Sequence, residues 1–344
     1  MNTTIKDSIS LLLQQHGVTH FGWTKLSRPL SMDMYAQWIH ENHQADMDYL
    51  KSHLNQKENS QLFKKAHSAI VFCIPYFPHP WPDDHKMSST IALYAQGKDY
   101  HHEIPKKIAP IIKDLKSHFM NDEFELYTDS APILERDLAY RAGLGWIGKN
   151  TCLIHPKRGS LFFIAEIYTT LELENENPWS PDFCGSCNKC IEACPTQALT
   201  APRKLEPNKC ISYWTIESKN VAPETLRPYF KDWLFGCDIC QTVCPWNQKH
   251  LKQRVTAFEE VLREEKIKEL HWILTSSRKS LFRFFANTPL ARAAGWKLQR
   301  NAIVVATNQS YGELIPVIQP FIKDEKLSEL ANWSLSILKS DSSL

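Results

Sequence analysis

Eight of the ten cysteines in this 344-residue chain fall into spaced runs that could hold iron. Cys184, Cys187, Cys190 and Cys194, with Pro195 behind the last, write C-x-x-C-x-x-C-x-x-x-C-P. In a bacterial run of this kind three thiolates hold one [4Fe–4S] cluster and the fourth reaches a different one. A second cluster is therefore required. Cys237, Cys240 and Cys244, followed by Pro245, supply three of its thiolates, and Cys210 upstream replaces the missing one. The spacing predicts Cys184, Cys187, Cys190 and Cys244 around one cluster, and Cys194, Cys210, Cys237 and Cys240 around the other. The chemistry of such a pair is one-electron transfer.

Zinc and disulfides account for these cysteines less well. Zinc sites use C-x-x-C pairs but do not call for a three-cysteine run ending in Cys-Pro. Residues 1–10 are polar and 11–13 are too short for the apolar core of an export signal, so a cytoplasmic chain with free thiols is expected. Cys73 and Cys152 lie in apolar β-like runs at 69–74 and 151–154 and read as buried core thiols.

Other residues could do acid–base or binding chemistry. Asp129, in Tyr127-Thr128-Asp129-Ser130-Ala131-Pro132, stands where an extended run gives way to a helix, and reads either as an N-cap or as a catalytic carboxylate. Glu135 and Asp137 follow on that helix and are expected to be solvated, with Arg136 and Arg141 free to pair with them or reach a ligand. Gly143, Gly145 and Gly148 spell G-x-G-x-x-G, but a helix precedes and β-like residues follow, the reverse of a dinucleotide fingerprint. Those glycines are expected instead to permit a close backbone approach beside Lys149 and Asn150. Residues 278–300 carry Arg278, Lys279, Arg283, Arg292, Lys297 and Arg300 and no acidic residue, with Phe282, Phe284, Phe285 and Trp296 among them. This stretch suits either a phosphate backbone or a solvated face. Lys157 and Arg158, between two strands, are a second basic pair.

These groups need elements to position them. Helical patterns at 5–15, 34–40, 104–119 and 133–142 alternate with extended ones at 18–23, 69–74, 124–128, 151–154 and 161–169, which predicts an α/β domain over residues 1–175. Pro75, Pro78, Pro80 and Pro82 enforce a loop, and residues 172–181 form a linker into the cysteine module at 176–250. From 251 to 344 the pattern is helical, with apolar spacing at 257–262, 281–285, 302–306 and 327–338, which suggests a pair of HEAT-like repeats. With 40 basic and 38 acidic residues the net charge of +2 decides nothing about partners, and no apolar stretch approaches a membrane span.

Together, residues 184–195 with Cys210-Ile211-Ser212-Tyr213 and 229–245, Asp129-Ser130-Ala131-Pro132 with Glu135-Arg136, the glycine loop at 142–150 and residues 94–101 resemble the epoxyqueuosine reductase family. The resemblance covers nearly the whole chain and reaches the C-terminal helices through Leu298-Gln299-Arg300-Asn301. It implies an α/β cobalamin-binding catalytic domain, a bacterial ferredoxin-like module with two [4Fe–4S] clusters, and an all-α HEAT-like tRNA-binding domain. The implied reaction turns epoxyqueuosine into queuosine at the wobble position of the aspartate, asparagine, histidine and tyrosine tRNAs. The epoxide oxygen leaves as water, in the last step of queuosine biosynthesis.

By the same resemblance Asp129 is the proton donor, which calls for a neutral acid with a raised pKa. Lys57, Tyr100, His101, Asp129, Arg136 and Asn150 are the implied cobalamin contacts. Lys157, Arg158, Arg283, Arg292, Lys297 and Arg300 are the expected tRNA contacts. No histidine is expected on cobalt, because Asp83, His85 and Ser88, the nearest approach to D-x-H-x-x-G, lack the glycine. A monomer served by a low-potential electron donor completes the expectation.

Two rival classes share part of this inventory. A reductive dehalogenase also uses cobalamin and two clusters, but usually carries a twin-arginine export signal, which residues 1–31 do not show, and needs no basic helical region. A ferredoxin-like electron carrier would leave residues 1–175 without a task and would bind no cobalamin.

Overall fold

β-Branched and aromatic residues dominate the sheet at the centre of the N-terminal half. The computed structural model describes residues 4–59, 63–76, 87, 89–174, 181–255 and 262–341. In chain order the first half contains α1 (Ile5–Gln15), β1 (Phe21–Lys25), α2 (Met32–His40), α3 (Tyr49–Ser52), α4 (Leu54–Asn59) and β2 (Ser68–Pro75). It continues through β3 (Thr90–Ile91), α5 (Tyr100–His118), β4 (Phe124–Tyr127), α6 (Glu135–Arg141), β5 (Trp146–Ile147), β6 (Leu153–Ile154) and β7 (Phe162–Thr169). The main sheet runs β1-β2-β7-β4, and every pair in it is antiparallel.

Both faces of this sheet are covered, which is why β2 is an unbroken apolar run. Ile70, Phe72 and Ile74 join Ile167 beneath α1 and α5, which contribute Ile9, Leu13, Ile104 and Ile108. Ala69, Val71 and Cys73 point the other way, with Tyr168, and meet Leu138 and Ala139 of α6. Asp99 caps α5 by accepting the His101 N–H at 3.0 Å, which fixes the direction in which Tyr100 and His101 leave the helix.

The expected elements are present with shifted ends. The strand expected at 18–23 begins at Phe21, because Gly17 and Val18 donate their N–H groups back to Gln14 and Leu13 in the turn closing α1. The strand expected at 151–154 shrinks to Leu153–Ile154, because Thr151 adopts a φ of 69°. Cys152 is consequently only partly buried, though burial still pushes its thiol up to about 11, whereas Cys73 is buried outright. Pro75 closes β2, while Pro78, Pro80 and Pro82, the triplet Asp83, His85 and Ser88, the linker at 175–180 and the apolar spacing at 257–261 lie outside the described residues.

The cysteine module follows with α7 (Lys189–Glu192), β8 (Leu199–Ala201), β9 (Lys204–Leu205), α8 (Ile211–Ile216), β10 (Trp233–Phe235), α9 (Ile239–Thr242) and α10 (Pro245–Val255). The short helices α7 and α9 lie side by side, and each leads into a cysteine followed by proline. β10 pairs in parallel with β3, which ties the module to the first half.

The C-terminal helices are α11 (Arg263–Thr275), α12 (Arg278–Phe285), α13 (Trp296–Asn308), α14 (Ile315–Ile318) and α15 (Ser328–Asp341). α13 packs between α11 and α15. Their core is continuous with that of the cysteine module: Ile211, Trp214, Leu234 and Phe235 belong to the same buried cluster as Leu270, Leu298, Ile303 and Leu335.

Arg300 fastens this joint. It is 3% exposed, donates to the carbonyls of Ser218 (2.8 Å), Asn220 (2.6 Å) and Trp214, and burial pulls its guanidinium down to about 10. Asn301 adds bonds to the carbonyls of Thr215 (2.8 Å) and Leu234 (2.9 Å). The expected tRNA contact at Arg300 is therefore corrected to an internal clamp. Arg300→Met should cost about 3 kcal/mol, the order of leaving buried carbonyls without donors, and lower the thermal midpoint. An unchanged midpoint would contradict the clamp.

Candidate functional site

The thiols form two electrostatic groups joined by Cys152. Cys190 and Cys244 feel the charge of Cys184, and Cys244 also that of Cys187. Cys210 and Cys237 feel Cys194, and Cys240 feels Cys210 and Cys237. Cys152 lies within reach of Cys240 on one side and of Cys190 and Cys244 on the other. Among the described residues no three His, Cys, Asp or Glu side chains close on a single-ion site.

The two sets differ in depth. Burial pushes the Cys237 thiol up to about 12 and raises Cys240 further, while Gly185, Ser186 and Asn188 around the first set are exposed. Trp146 donates its indole N–H to Cys184 Sγ at 3.4 Å, and its ring packs edge-on against Phe183 and Trp246. Lys149 Nζ holds the surface loop through Gly185 O (2.8 Å) and Asn188 Oδ1 (2.9 Å).

Asp129 occupies the loop between β4 and α6 in the left-handed region, with φ 51°. It is not an N-cap, because α6 begins only at Glu135 and Leu134 takes the cap position. Instead its Oδ2 accepts the Tyr100 hydroxyl at 2.5 Å and meets His101 Nε2 at 3.0 Å. The other ring nitrogen of His101 meets Asp99 Oδ1 at 2.7 Å, so the imidazole bridges two carboxylates. Tyr100 is stacked between His101 (4.1 Å) and Phe163 (4.3 Å). A cavity of about 350 Å³ opens beside this group, lined by His101, Thr128, Ser130 and Ala131.

The charge state is the reverse of the expected one. Hydrogen bonds from Asp129 and Asp99 hold His101 up at about 9. Desolvation pulls the Asp129 carboxyl upward, but the hydrogen bonds of His101 and Tyr100 and the charges of His101 and Arg292 outweigh it, and the net direction is down. The stored proton therefore sits on the imidazole, and the half-exposed Asp129 is a carboxylate.

Behind Asp129 lie three carboxyls, of which the sequence did not single out Glu166. Glu135 Oε1 accepts the Asp129 N–H. Desolvation and the Asp129 charge push its carboxyl up to about 8, so it is not the solvated group expected. Asp137 is likewise buried, paired with Arg141 at 2.7 Å and accepting the Ser31 N–H at 2.8 Å. Glu166 on β7 has no exposed surface and is pushed well above its ordinary range by burial and by Glu135. One local signal was available: Glu166 is the only charged residue in Phe162–Thr169. Lys57 is buried among these acids with Nζ on the Ile133 carbonyl at 2.9 Å, and burial lowers its pKa.

A row of contacts leads from here to the second thiol set. Glu135 is followed on α6 by Arg136, which donates to Thr151 O at 2.6 Å. The neighbouring Asn150 is 4% exposed, accepts the Cys152 N–H at 3.2 Å and donates to Cys240 O at 3.2 Å. The glycines play a local part in this row. A Cβ on Gly145 would lie 2.1 Å from Ile154 O, so the close approach is to the partner strand of the β5–β6 hairpin.

The basic candidates separate. Lys157, Arg158 and Arg283 face solvent, with Arg158 Nε donating to His20 Nε2 at 2.8 Å. Lys297 Nζ is engaged by the carbonyls of Ile216 and Glu217 at 3.1 and 3.2 Å. Arg292 is gripped by both oxygens of Glu217 (2.5 and 2.9 Å), lies over the Tyr49 ring, and its charge reaches Asp129. It is exposed as well as paired. Arg278 is paired with Asp324 at 2.5 Å. Two cations of the run, Arg278 and Arg292, are thus paired with acids from other segments, while Lys279 and Arg283 stay exposed.

Two parts of the chain match family models, and relatives match most of its length. Residues 57–130 match a family model described as epoxyqueuosine reductase QueG, DUF1730, and residues 183–247 match a 4Fe-4S double cluster binding domain. An epoxyqueuosine reductase of Cyclobacterium marinum is 35% identical over 274 residues, 79% of this chain and 87% of the relative. A crystal structure of epoxyqueuosine reductase with an epoxyqueuosine-modified tyrosine tRNA stem loop superposes with a TM-score of 0.79 at 26% identity, covering 97% of this chain and 90% of that one. An epoxyqueuosine reductase from Bacillus subtilis, solved with its catalytic aspartate loop swung out of the active site, gives a TM-score of 0.78 at 26% identity, with the same coverage.

The His101 ring should titrate near 9 by NMR, and Asp129→Asn should lower that value. Because the folded value lies above the ordinary 6.5, the pairing stabilises the fold fully below pH 6.5 and is lost as pH rises through about 9. Thermal midpoints of wild type against His101→Asn across that window measure the loss. A ring titrating at its ordinary value would remove the bridge.

Proposed function

The chain belongs to the epoxyqueuosine reductase family, and on that premise we propose how its own residues reduce epoxyqueuosine in tRNA to queuosine. The reaction breaks both carbon–oxygen bonds of the epoxide, forms a carbon–carbon double bond and releases water, consuming two electrons and two protons. When bound, two [4Fe–4S] clusters supply single electrons, and cobalamin supplies a cobalt centre that stores them and engages a substrate carbon.

Two thiol sets of four have the number and type of donors that two clusters need. Cys184, Cys187, Cys190 and Cys244 would hold the outer cluster, and Cys194, Cys210, Cys237 and Cys240 the inner one. A redox cofactor served by an acid and by a cluster fits where those two meet, and the row from Asp129 through Arg136 and Asn150 to Cys240 is such a place. Tyr100, His101, Asp129, Arg136 and Asn150 would hold cobalamin there. Lys57 supports the row from below, through Ile133.

The observation that carries the acid assignment is Asp129 Oδ2, which meets a tyrosine hydroxyl and a raised-pKa imidazole together. As substrate displaces water from the half-exposed carboxylate, separated charges become costlier and the His101 proton moves toward Asp129 Oδ2. Asp129 then donates to the departing oxygen, and Tyr100 holds its orientation. In the Bacillus subtilis relative the catalytic aspartate also stands on a loop.

Residues 1–175 would thus carry catalysis, 176–250 the clusters and 251–344, with HEAT-like helices, the RNA. A wobble nucleoside lies in a single-stranded loop and can be turned into a pocket at modest cost. Lys157, Arg158 and Arg283 remain as phosphate contacts, and Arg292 lies near the mouth of the acid site. A low-potential donor would reach the outer cluster first. No helix among the described residues is long and apolar enough to cross a membrane, and a tRNA substrate supports a cytoplasmic reaction.

After anaerobic reconstitution, Asp129→Asn should keep its iron but form queuosine, read by nucleoside mass at saturating cobalamin, about a hundredfold more slowly or worse. A wild-type rate would remove Asp129 from the acid role. Cys210→Ala should lower iron from about eight to about four atoms per chain, whereas Cys152→Ala should leave it unchanged. Full iron in the Cys210 variant would overturn the sharing.

A further inference from the structure

The turn at 155–159, which joins β6 to β7, carries two exposed cations, Lys157 and Arg158. Among the described residues neither forms an ion pair, in contrast to Arg278 and Arg292, which are paired with acids.

Two imidazoles stack against this turn. The rings of His20, just before β1, and of His155 have centroids 4.7 Å apart. Arg158 Nε donates to His20 Nε2 at 2.8 Å, and the Lys157 N–H donates to His155 Nδ1 at 3.0 Å. Each bond needs a lone pair on the accepting nitrogen, so both rings are neutral and their tautomers are set. His20 carries its proton on Nδ1, which meets Thr19 Oγ1 at 2.8 Å, and His155 carries its proton on Nε2. Among the described residues that Nε2 proton has no acceptor. One turn thus gathers the Lys157 ammonium, the Arg158 guanidinium and the His155 Nε2–H with no acid to receive them, a donor set that suits an anion.

The sheet register places this set with respect to the acid. The Cys73 N–H donates to His20 O at 2.9 Å, Cys73 stands opposite Ile164, and Ile164 O accepts the Thr128 hydroxyl at 3.1 Å. His20 and the Asp129 loop are therefore level across one end of the sheet, beside its two edge strands β1 and β4. In the order β1-β2-β7-β4 the two edges are about 15 Å apart. The same end meets the cysteine module, since a Cβ on Gly159 would lie 2.8 Å from Trp246 O. A polyanion with one residue at Asp129 has its flanking backbone within reach of the turn.

Resting on the tRNA substrate assigned above, we propose that His155, Lys157 and Arg158, braced by His20, form a clasp for a phosphodiester of the anticodon-loop strand beside the wobble nucleoside. The two cations supply attraction, and the His155 Nε2–H supplies a directed bond from a neutral ring. Such a contact fixes the register of the strand without reading a base.

A bound phosphate changes the proton balance of the clasp. Burial, then the charges of His20, Arg158 and Lys157, hold His155 down at about 4 in the free protein. The groups facing it are all basic, and Trp246 and Asn247, packed against the turn, bring no charge. An anion beside Nε2 favours the imidazolium, so the His155 value rises on binding and RNA affinity increases as pH falls.

Fluorescence anisotropy of the reconstituted protein with an unmodified tyrosine tRNA anticodon stem loop reads the clasp directly. Replacing both Lys157→Ala and Arg158→Ala should weaken binding about tenfold or more and flatten the slope of log affinity against log salt by about 1.4. His155→Phe keeps a ring in the stack but not the donor, and should weaken binding about threefold or more with the salt slope unchanged. By NMR the His155 ring should titrate near 4 in the free protein and higher with the stem loop bound. Wild-type affinity and slope in the double variant, or a His155 value that the stem loop does not move, overturns the clasp. So does a double variant that binds RNA normally but accepts electrons more slowly from an acidic ferredoxin, which would make the turn a donor face. If His155→Phe does not fold, the two exposed alanine substitutions and the NMR titration carry the test. If the wild-type protein itself does not bind the stem loop, the tRNA assignment fails; if it binds and the double variant matches it, only the clasp fails.

Discussion

Asn247 has no exposed surface and turns both ends of its amide to neighbours: Oδ1 accepts the Ser160 N–H at 2.7 Å, and Nδ2 donates to Ser160 Oγ and Gln241 O at 2.9 and 2.8 Å. Three residues past Cys244, it sews the catalytic half to the cysteine helices. The contact is so close that a Cβ on Gly159 would fall 1.9 Å from Oδ1, and Gly159 adopts a φ of 66°. Asn150, bonded to Cys240 O, and Arg203, bonded to Ile147 O at 2.8 Å, repeat the device on either side. An acid on one domain can serve a reaction driven from thiols on another only while this seam is rigid. Buried amides bonded at both ends supply that rigidity, since loosening one strands its partners without solvent.

Electrostatics sets what the acid can do. Asp129 between Tyr100, His101 and Arg292 is held as a carboxylate while water has access to it. That state is stable in the open site and is penalised in a closed one, so proton release is tied to substrate occupancy rather than to solution pH alone. Asp99 matters in the same way at one remove. It keeps His101 charged and also caps the helix that aims it, so one side chain governs both the direction of the imidazole and its proton.

How much of this was legible in the chain depended on how local each signal was. The double-cluster module was readable because cubane geometry calls for short cysteine spacings, and Cys210 completes the count of eight. The sheet was readable because β2 buries both faces, which leaves a continuous apolar run. Asp129 was found, but its charge was not, because His101 comes from 28 residues earlier through a helix direction that no local pattern encodes. The basic run at 278–300 is less free than it reads for the same reason: Glu217, Asp324 and the carbonyls at 214–220 that occupy Arg292, Arg278 and Arg300 all lie in other segments. Glu166 did leave a trace, a lone acid in an apolar strand, which sheet burial turns into a statement about protonation.

The three carboxyls and the thiols occupy opposite ends of one short path, and this separation has a physical consequence. Charge added near Cys240 is poorly screened in an interior where Asn150 and Glu166 have almost no exposure, and it raises the proton affinity of carboxyls at the far end. A buried carboxyl without a partner among the described residues, as at Glu166, calls for a proton, so the sheet behind the Asp129 loop carries no net charge there.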